Sequence, residues 1–399
     1  MRVVAFVLAS AVLATAAHAQ TVPCRTSGPY ASWLAGLERE AAAGGISQAT
    51  IAAAAPFLTY DQRIVNIDRG QRVFTQTFLE FSSRMAAAYR ISGAQARIKK
   101  YAAVFERIER QYGVPAAVIT SFWGLESDFG ANQGKYPTLS SIASLAYDCR
   151  RADKFRPQLL DALRLIQRGD LTPPEMIGSW AGELGQTQMM PTEYYKYAVD
   201  YSGTGKRDLI HNVPDVLAST ANYLVGLGWK RGEPWMTEAR VPARLPWDQA
   251  DFDIQLPRSK WASWGVTLAD GRPLPDDNLP ASLLLPMGRL GPAFLVYPNF
   301  QVYLQWNNSL VYSTTAAYLA TRIAGAAPLH RGNPPPALTF DQVKELQTLL
   351  TRAGYDVGKI DGFLGLKSRQ AIKAMQIKFG LPADSYPTEE LLARMRAGG

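Results

Sequence analysis

Residues 115–130 read Pro115-Ala-Ala-Val-Ile-Thr-Ser-Phe-Trp-Gly-Leu-Glu126-Ser-Asp-Phe-Gly130 and predict the most informative helix of the chain. Pro115 suits the first turn of a helix and Gly130 suits its end. Ile119, Phe122 and Glu126 fall on one face, which places a carboxyl group on an apolar stripe. Burial and the negative end of the helix dipole both raise a carboxyl pKa, which favours a general acid. The alternative is a glutamate at an exposed helix end with no chemical role.

A second informative stretch is Ser179-Trp-Ala-Gly-Glu-Leu-Gly-Gln-Thr-Gln188-Met-Met-Pro191, in which amides, hydroxyls and small residues lie among apolar ones. No hydrophobic period runs through it, so it predicts neither a buried helix nor a strand. Amide groups and an apolar ring face are what a bound sugar needs. The alternative is a polar turn that leads into a helix at Pro191.

The rest of the chain divides by composition into segments of different character. Alanine-rich amphipathic runs from about 30 to 223 predict helices with short breaks. Residues 234–298 carry many prolines and short apolar runs, which predicts a small strand-containing subdomain before a last helix at 311–323. The proline-rich stretch 325–337 predicts a semi-rigid linker.

The C-terminal segment, residues 338–396, predicts a compact unit of three helices. Val343, Leu346 and Leu350 mark one helical face, and Gly380 ends the second helix. Thr388 is a suitable N-cap for the third. A unit this small, with no obvious acid–base pair, is more typical of a binding module than of a catalytic one.

Composition excludes several classes of protein. The 399 residues are 47% hydrophobic and 19% charged, which is typical of a globular chain of two or three domains. The net charge of +8 suits an acidic polymer as partner, but no run of Lys or Arg indicates nucleic acid. Three histidines and two cysteines are too few to favour a zinc site.

The N-terminus predicts export. Arg2 precedes an apolar run, and Ala17-His18-Ala19 fits a cleavage site before Gln20, so residues 1–19 are predicted to be a signal peptide. A membrane anchor needs about 20 apolar residues, and this run is shorter. We therefore expect a soluble periplasmic protein without a transmembrane anchor.

Export also makes the two cysteines informative. An isolated pair in an oxidising compartment is more often bridged than reduced, which predicts a Cys24–Cys149 disulfide. The alternative is two buried free thiols.

Taken together, the two stretches resemble the family B lytic murein transglycosylases of glycoside hydrolase family 103. The family marks are Gly-x-Glu-[Ser/Thr]-x-[Phe/Trp]-Gly and Ser-[Trp/Tyr]-Ala-Gly-x-x-Gly-x-x-Gln-x-Met-Pro, matched here by residues 124–130 and 179–191. Residues 215–223 and 291–300 match further motifs. The resemblance covers about residues 33–323.

The C-terminal unit resembles the peptidoglycan-binding three-helix domain. Its Gly-Tyr-x-x-Gly, Asp-Gly-x-x-Gly and Arg-x-Ala-Ile-x-x-x-Gln signatures are matched by residues 354–358, 361–365 and 369–376. The two resemblances imply a mainly α protein in several parts. These are a lysozyme-like catalytic domain at 20–324 with a strand-containing subdomain at about 234–300, the linker 325–337, and the binding domain 338–396.

The resemblance also implies an activity and its residues. The activity is non-hydrolytic cleavage of the MurNAc–GlcNAc β-1,4 bond in peptidoglycan glycan strands, which leaves 1,6-anhydro-MurNAc ends. Glu126 matches the single catalytic acid. Trp306 stands where the family often has tyrosine, which keeps a stacking ring but removes a hydroxyl. The positions that match substrate-binding residues are Ser179, Gln188, Tyr223, Asn307 and Tyr312.

The family can also carry a calcium loop, and this chain departs from it. Thr204 stands at a usual carboxylate position and His211 at the usual bidentate glutamate. We therefore expect a loop held by its own turns and no required cofactor. The ligands would be Asp200, Ser202, Thr204 and Asp215 if calcium binds.

Two other functions stay open from the sequence. A muramidase that hydrolyses the same bond needs a second carboxylate, for which Glu183 and Glu193 are the candidates. A non-catalytic wall-binding scaffold is the other alternative, and Glu126 on an apolar face argues against it. The sequence leaves open whether proteins of cell-wall synthesis or division are partners.

Overall fold

The computed structural model describes residues 22–70 and 76–398. Up to residue 226 the described chain is mainly helical, but it is less so than predicted, because 169–190 and 198–212 contain no α-helix. The helices are α1 Tyr30–Ala43, α2 Gln48–Ala54, α3 Gln62–Arg69, α4 Phe78–Met85, α5 Ala88–Lys100, α6 Ala102–Tyr112, α7 Ala116–Ser127, α8 Thr138–Tyr147, α9 Ala152–Arg168, α10 Pro191–Tyr197 and α11 Val213–Gly226.

Helix α7 lies at the centre of this helical part. Every residue from 117 to 124 is buried, because α5, α6, α11 and a later helix pack around it. The predicted end at Gly130 is wrong. The helix ends at Ser127, because Asp128 and Phe129 both take left-handed backbone conformations, with φ of 47° and 63°.

A short antiparallel pair interrupts the helices. Strand β1, Tyr136–Pro137, pairs with β2, Ile177–Gly178, which the sequence did not predict. Only glycine fits at position 178, because a Cβ there would lie 2.0 Å from the Glu183 carbonyl oxygen. The pair fixes the start of the polar stretch 179–190.

The predicted strand-containing subdomain is an antiparallel sheet of order β4-β6-β7-β3-β5. Successive residues of its strands point to opposite faces of the sheet, and each face packs into a different hydrophobic core. Leu283 and Leu295 pack in the subdomain's own core, whereas Phe294 and Val296 pack against the helical part. The elements are β3 Met236–Arg240, β4 Leu256–Pro257, α12 Arg258–Ser263, β5 Thr267–Leu268, β6 Pro280–Leu284 and β7 Ala293–Val296.

The chain then returns to the helical part. Helix α13, Phe300–Trp306, is followed by α14, Leu310–Ile323, which packs against α4, α5 and α7. The Ser309 hydroxyl caps α14 by accepting the Tyr312 N–H. Trp306 and Tyr312 therefore lie on either side of one short turn next to α7.

The C-terminal unit consists of α15 Phe340–Arg352, α16 Leu366–Lys378 and α17 Glu389–Arg396 around its own apolar core. It is seated on the strand subdomain. The buried Arg369 guanidinium donates to the Leu285 carbonyl at 2.8 Å. Lys373 pairs with Asp251 at 3.2 Å. The linker follows the same surface, where the Asn333 N–H donates to the Leu290 carbonyl at 2.8 Å.

Two features concern the N-terminal segment of the chain. Cys24 and Cys149 are joined by a disulfide, which ties the segment before α1 to the connection between α8 and α9. The predicted signal peptide, residues 1–19, lies outside the described residues. Within residues 22–70 and 76–398, none of the helices is both long enough and apolar enough to cross a membrane.

Candidate active site

Glu126 occupies the next-to-last position of α7, where the helix meets the turn between α13 and α14. Its Oε1 accepts two hydrogen bonds. The Trp306 indole N–H donates at 2.9 Å, and the Tyr312 hydroxyl donates as well. The other oxygen, Oε2, makes no hydrogen bond to a described residue. One carboxyl oxygen is therefore held, and the other is left for a ligand or a proton.

Aromatic rings form one wall beside this carboxyl group. The Trp306 ring lies 4.3 Å from the Phe122 ring and 5.0 Å from the Tyr223 ring, centroid to centroid. Tyr223 in turn lies 4.8 Å from Tyr197. Phe122 is fully buried, whereas Trp306 and Tyr223 are partly exposed, so these two rings offer apolar surface on which a sugar ring can stack.

The electrostatics of the site favour a protonated carboxyl group near neutral pH. The pKa of Glu126 is raised from 4.5 to about 7, mainly by burial; the hydrogen bonds from Tyr312 and Trp306 oppose this rise, and the charge of Glu183 adds to it least. Burial also raises the pKa of Tyr312 well above its ordinary value, so its hydroxyl stays a donor. A group with a pKa near the working pH can both give and take a proton.

The polar stretch 179–190 is held by its own hydrogen bonds. The Ser179 hydroxyl donates to the Glu183 carboxylate and accepts from the N–H groups of Ala181 at 3.1 Å and Glu183 at 3.3 Å. Gln188 has a left-handed backbone with φ of 50°, and its amide donates to the Gly185 carbonyl at 2.8 Å. The stretch therefore has a defined backbone conformation held by local hydrogen bonds.

The loop that resembles a calcium site is also internally bonded. Asp215 is fully buried, and its Oδ1 accepts the N–H groups of Tyr201 and Ser202, each at 3.0 Å. Asp200 accepts the N–H groups of Thr204 at 2.9 Å and Gly205 at 2.7 Å. Among the described residues no group of three or more His, Cys, Asp or Glu is arranged to hold a metal ion. Whether calcium binds stays a prediction.

Comparison with known proteins places this geometry in a family. A family model for the transglycosylase SLT domain matches residues 29–321. This chain belongs to that family. A second model, for a putative peptidoglycan binding domain, matches residues 340–395. Both resemblances noted in the sequence are thereby confirmed.

Solved structures and a curated relative agree with this assignment. SltB3 from Pseudomonas aeruginosa, solved in complex with NAG-NAM-pentapeptide, is 40% identical, with a TM-score of 0.86 over 92% of this chain and 99% of that one. The Escherichia coli lytic transglycosylase Slt35, solved in complex with calcium, is 25% identical, with a TM-score of 0.63 over 77% and 97% of the two chains.

The curated relative is membrane-bound lytic murein transglycosylase B of Escherichia coli (strain K12), 30% identical over 226 residues. The match spans 56% of this chain and 61% of the length of that relative. The predicted fold class, a helical lysozyme-like domain with a small sheet and a C-terminal helical domain, is confirmed by the structure and these matches.

Within this transglycosylase SLT domain the predicted site residues take different positions. Tyr312 lies directly on Glu126, and Tyr223 lies one ring away through Trp306. Asn307 follows Trp306, and its side-chain oxygen accepts the N–H of Ser309 at 3.0 Å. The roles of these residues in substrate binding, like those of Ser179 and Gln188, stay predictions.

Sequence reasoning missed two contacts of this site. Trp306 was considered only as a stacking ring, yet its indole N–H supplies a donor to Glu126. The signal was present, because an indole carries one N–H donor that is usually bonded when buried. The bond between Ser179 and Glu183 was also missed, although their spacing of four residues around Gly182 is compatible with a tight turn.

Proposed function

We propose that this chain is a lytic transglycosylase that cleaves the MurNAc–GlcNAc β-1,4 bond of peptidoglycan, with Glu126 as both acid and base. The observation that carries the proposal is the setting of Glu126. One oxygen is held by the neutral donors Trp306 and Tyr312, the other is free, and the pKa is about 7. Membership of the transglycosylase SLT family and the names of the relatives support the same reaction class.

The reaction follows from these contacts. Protonated Glu126 gives its proton to the glycosidic oxygen as the bond to MurNAc C1 breaks. The carboxylate then takes the proton of the C6 hydroxyl of the same sugar, whose oxygen bonds to C1. One residue can serve twice because the nucleophile belongs to the substrate, and proximity replaces a second protein carboxylate. Tyr312 and Trp306 stabilise the carboxylate between the two steps.

Mass spectrometry of fragments released from purified sacculi tests this proposal. We expect 1,6-anhydro-MurNAc ends. Because the ring closes within the substrate and no water is added, these ends are lighter than hydrolysed ends by one water, about 18 Da. Free reducing ends as the main product would instead identify the muramidase alternative. Binding to sacculi without any release of fragments would identify the scaffold alternative.

The C-terminal domain, we propose, holds the enzyme on the wall and takes no part in bond cleavage. Its match to a putative peptidoglycan binding domain supports this role, and its attachment to the catalytic part raises the local substrate concentration. A chain that ends at Ala324 should keep activity on soluble glycan fragments and lose affinity for sacculi. Circular dichroism and a melting curve check that the shortened chain is folded, and unchanged sedimentation with sacculi would reject the role.

The compartment follows from the same substrate. We propose that the chain is exported to the periplasm and that residues 1–19 are removed on the way. Intact-mass measurement of protein isolated from the native cell should give a chain that begins near Gln20. A full-length mass with Met1 retained would contradict export by a cleaved signal peptide.

A further inference from the structure

A cavity of about 800 Å³ lies between α3 and α8 next to strand β1, and the reaction proposed above makes no use of it. Its wall is formed by residues 59–64 at the start of α3, by residues 135–137 around β1 and by the first turn of α8. Glu126 and the aromatic side chains beside it are not among the lining residues, so this cavity is separate from the site of the acid.

The cavity shares strand β1 with the polar stretch that begins at Ser179. Tyr136 of β1 lines the cavity and is paired with Gly178, the residue before Ser179. Just before β1, the Gln133 carbonyl accepts the Gln188 side-chain N–H at 3.1 Å. Because paired strands lie only about 5 Å apart, a substituent several bonds long on a glycan held by this stretch can reach the cavity.

The charged groups that line the cavity leave one cation unpaired. Arg63 and Asp61 pair with each other at 2.8 Å, and two nitrogen atoms of the guanidinium donate to the carboxylate. Lys135 is exposed and makes no hydrogen bond or ion pair among the described residues. These three are the charged residues of the lining, so the cavity carries one excess positive charge and attracts an anionic group.

A buried hydroxyl gives a second, independent indication of a ligand. Ser141 of α8 lines the cavity and is 1% exposed, and its hydroxyl has no hydrogen-bond partner among the described residues. Buried hydroxyls are usually bonded. The neighbouring Ser140 follows that rule, since its hydroxyl donates to the Thr59 carbonyl at 2.9 Å. An unpartnered donor at the cavity wall is suited to a carboxylate of a ligand.

We propose that this cavity binds the peptide stem carried by MurNAc, through stem carboxylates that contact Lys135 and the Ser141 hydroxyl. The inference rests on the proposed function, since a stem reaches the cavity only from a glycan strand on the stretch 179–190. A stem is a short peptide with free carboxylates and small apolar side chains. Phe57 and Tyr60 line the cavity and supply apolar surface for those side chains, whereas a neutral sugar unit would leave the lysine unpaired.

Two soluble glycan fragments of equal length test this, one with acidic stems and one from which an amidase has removed them. Binding is measured on full-length Glu126→Gln, in which turnover should be slow. Adding Lys135→Gln should weaken binding of the stem-bearing fragment about tenfold and of the stem-free fragment less than about twofold. Lys135→Arg keeps the charge and should retain most of the affinity. Lys99→Gln is the matched control, because Lys99 is exposed on α5, outside the cavity, without a hydrogen bond or ion pair among the described residues.

Ser141→Ala separates a role in binding from a role in folding. Removing a hydroxyl that is bonded inside the protein costs stability, whereas removing an unpartnered one should not. We therefore expect Ser141→Ala to weaken binding of the stem-bearing fragment about threefold, with no fall in melting temperature. A lower melting temperature with unchanged binding would make Ser141 a structural residue and contradict its assignment.

The outcomes are distinct. Equal loss of both fragments in Lys135→Gln would show that the cavity holds the glycan chain itself, and no loss of either would show that the cavity is not used. Either result would overturn the proposal. Because binding is measured without cleavage, the products of the unmodified enzyme report on the proposed function separately. Reducing ends would reject transglycosylation, while the comparison of the two fragments would still decide whether the cavity binds a stem.

Discussion

Glu126 and Asp215 are two acids of the same helical part, and they differ in what surrounds their oxygens. Asp215 accepts three backbone N–H groups and the Ser202 hydroxyl, so its oxygens are saturated by donors that cannot move away. Glu126 accepts two side-chain donors at one oxygen and leaves the other free. A saturated carboxylate organises a loop, whereas a half-satisfied one in an apolar setting can exchange a proton.

The largest effect is expected from removing the Glu126 proton, which tests whether Glu126, unlike Asp215, has a chemical role. Glu126→Gln keeps the shape and the acceptor oxygen, so binding of glycan fragments should persist while turnover falls by about 10²–10⁴-fold or more. Turnover and binding to fragments are measured on the same preparation, with Glu106→Gln, at an exposed position on α6, as control. Formation of anhydro product at a near-normal rate would mean that another acid, with Glu183 the first candidate, donates the proton.

Asp215→Asn should act on stability instead of chemistry. An amide at this position turns an N–H₂ group towards backbone donors that need an acceptor, and we expect a loss of about 2–4 kcal/mol in the free energy of unfolding. Asp200→Asn, at a more accessible position of the same loop, should cause a smaller drop in melting temperature. Chemical denaturation measures both, and equal losses would show that saturation of Asp215 by backbone donors is not what stabilises the loop.

The stability of Glu126→Gln should depend on pH in a way that identifies the partly buried carboxyl group of Glu126. The pKa of Glu126 is raised from 4.5 to about 7, so the folded protein holds this proton more tightly than the unfolded chain. The stabilisation of the folded state by this tighter proton binding is complete below pH 4.5 and is lost as the pH rises through 7. The variant should therefore gain roughly 3 kcal/mol relative to the unmodified protein between pH 4.5 and 8. A difference that is independent of pH would contradict the raised pKa.

Tyr312→Phe removes one of the two hydrogen-bond donors to Glu126 and so tests how much those donors set the pKa of this acid. Its hydroxyl lowers the pKa of Glu126, so without it burial acts with less opposition and the pKa rises. The alkaline limb of activity should move to higher pH, and the maximal rate should fall about tenfold because the carboxylate is less stabilised. Tyr89→Phe, at an exposed position on α5, is the control. A limb that moves to lower pH would contradict the assigned direction.

The smallest effect expected is that of calcium. If backbone N–H groups already satisfy the Asp200 and Asp215 oxygens, calcium must displace them, and millimolar calcium or a chelator should change the melting temperature by less than about 1 °C. A rise of several degrees on adding calcium, abolished in Asp200→Asn, would show that this loop binds the ion.

The helices and the position of Glu126 could be predicted because both depend on local order in the sequence. The apolar and small residues of α7 predict a buried helix, which the structure shows to be buried on all sides from 117 to 124, and Thr388 signals the cap of α17 by its own side chain. The partners of Glu126 could not be derived this way, since Trp306 and Tyr312 lie 180 and 186 residues further along the chain. Only the packing of α14 against α7 brings them together.

The seating of the C-terminal domain was missed for the same reason. The linker composition predicted a semi-rigid spacer, which is a statement about residues 325–337 alone. What holds the domain in place is a set of contacts between α16 and the strand subdomain, such as Arg369 with Leu285 and Lys373 with Asp251. No periodicity or turn signal in α16 or in the strand subdomain indicates that the two are in contact.

Arg369 also limits how the parts of this protein can be recombined. Its guanidinium is buried, its pKa is lowered by that burial, and it depends on the Leu285 carbonyl and the nearby acids Asp251 and Asp384. A wall-binding domain taken from another protein and joined at the linker would leave Asp251 facing a surface that did not evolve with it. Exchange of the C-terminal domain, by evolution or by engineering, therefore has to transfer the strand subdomain together with it.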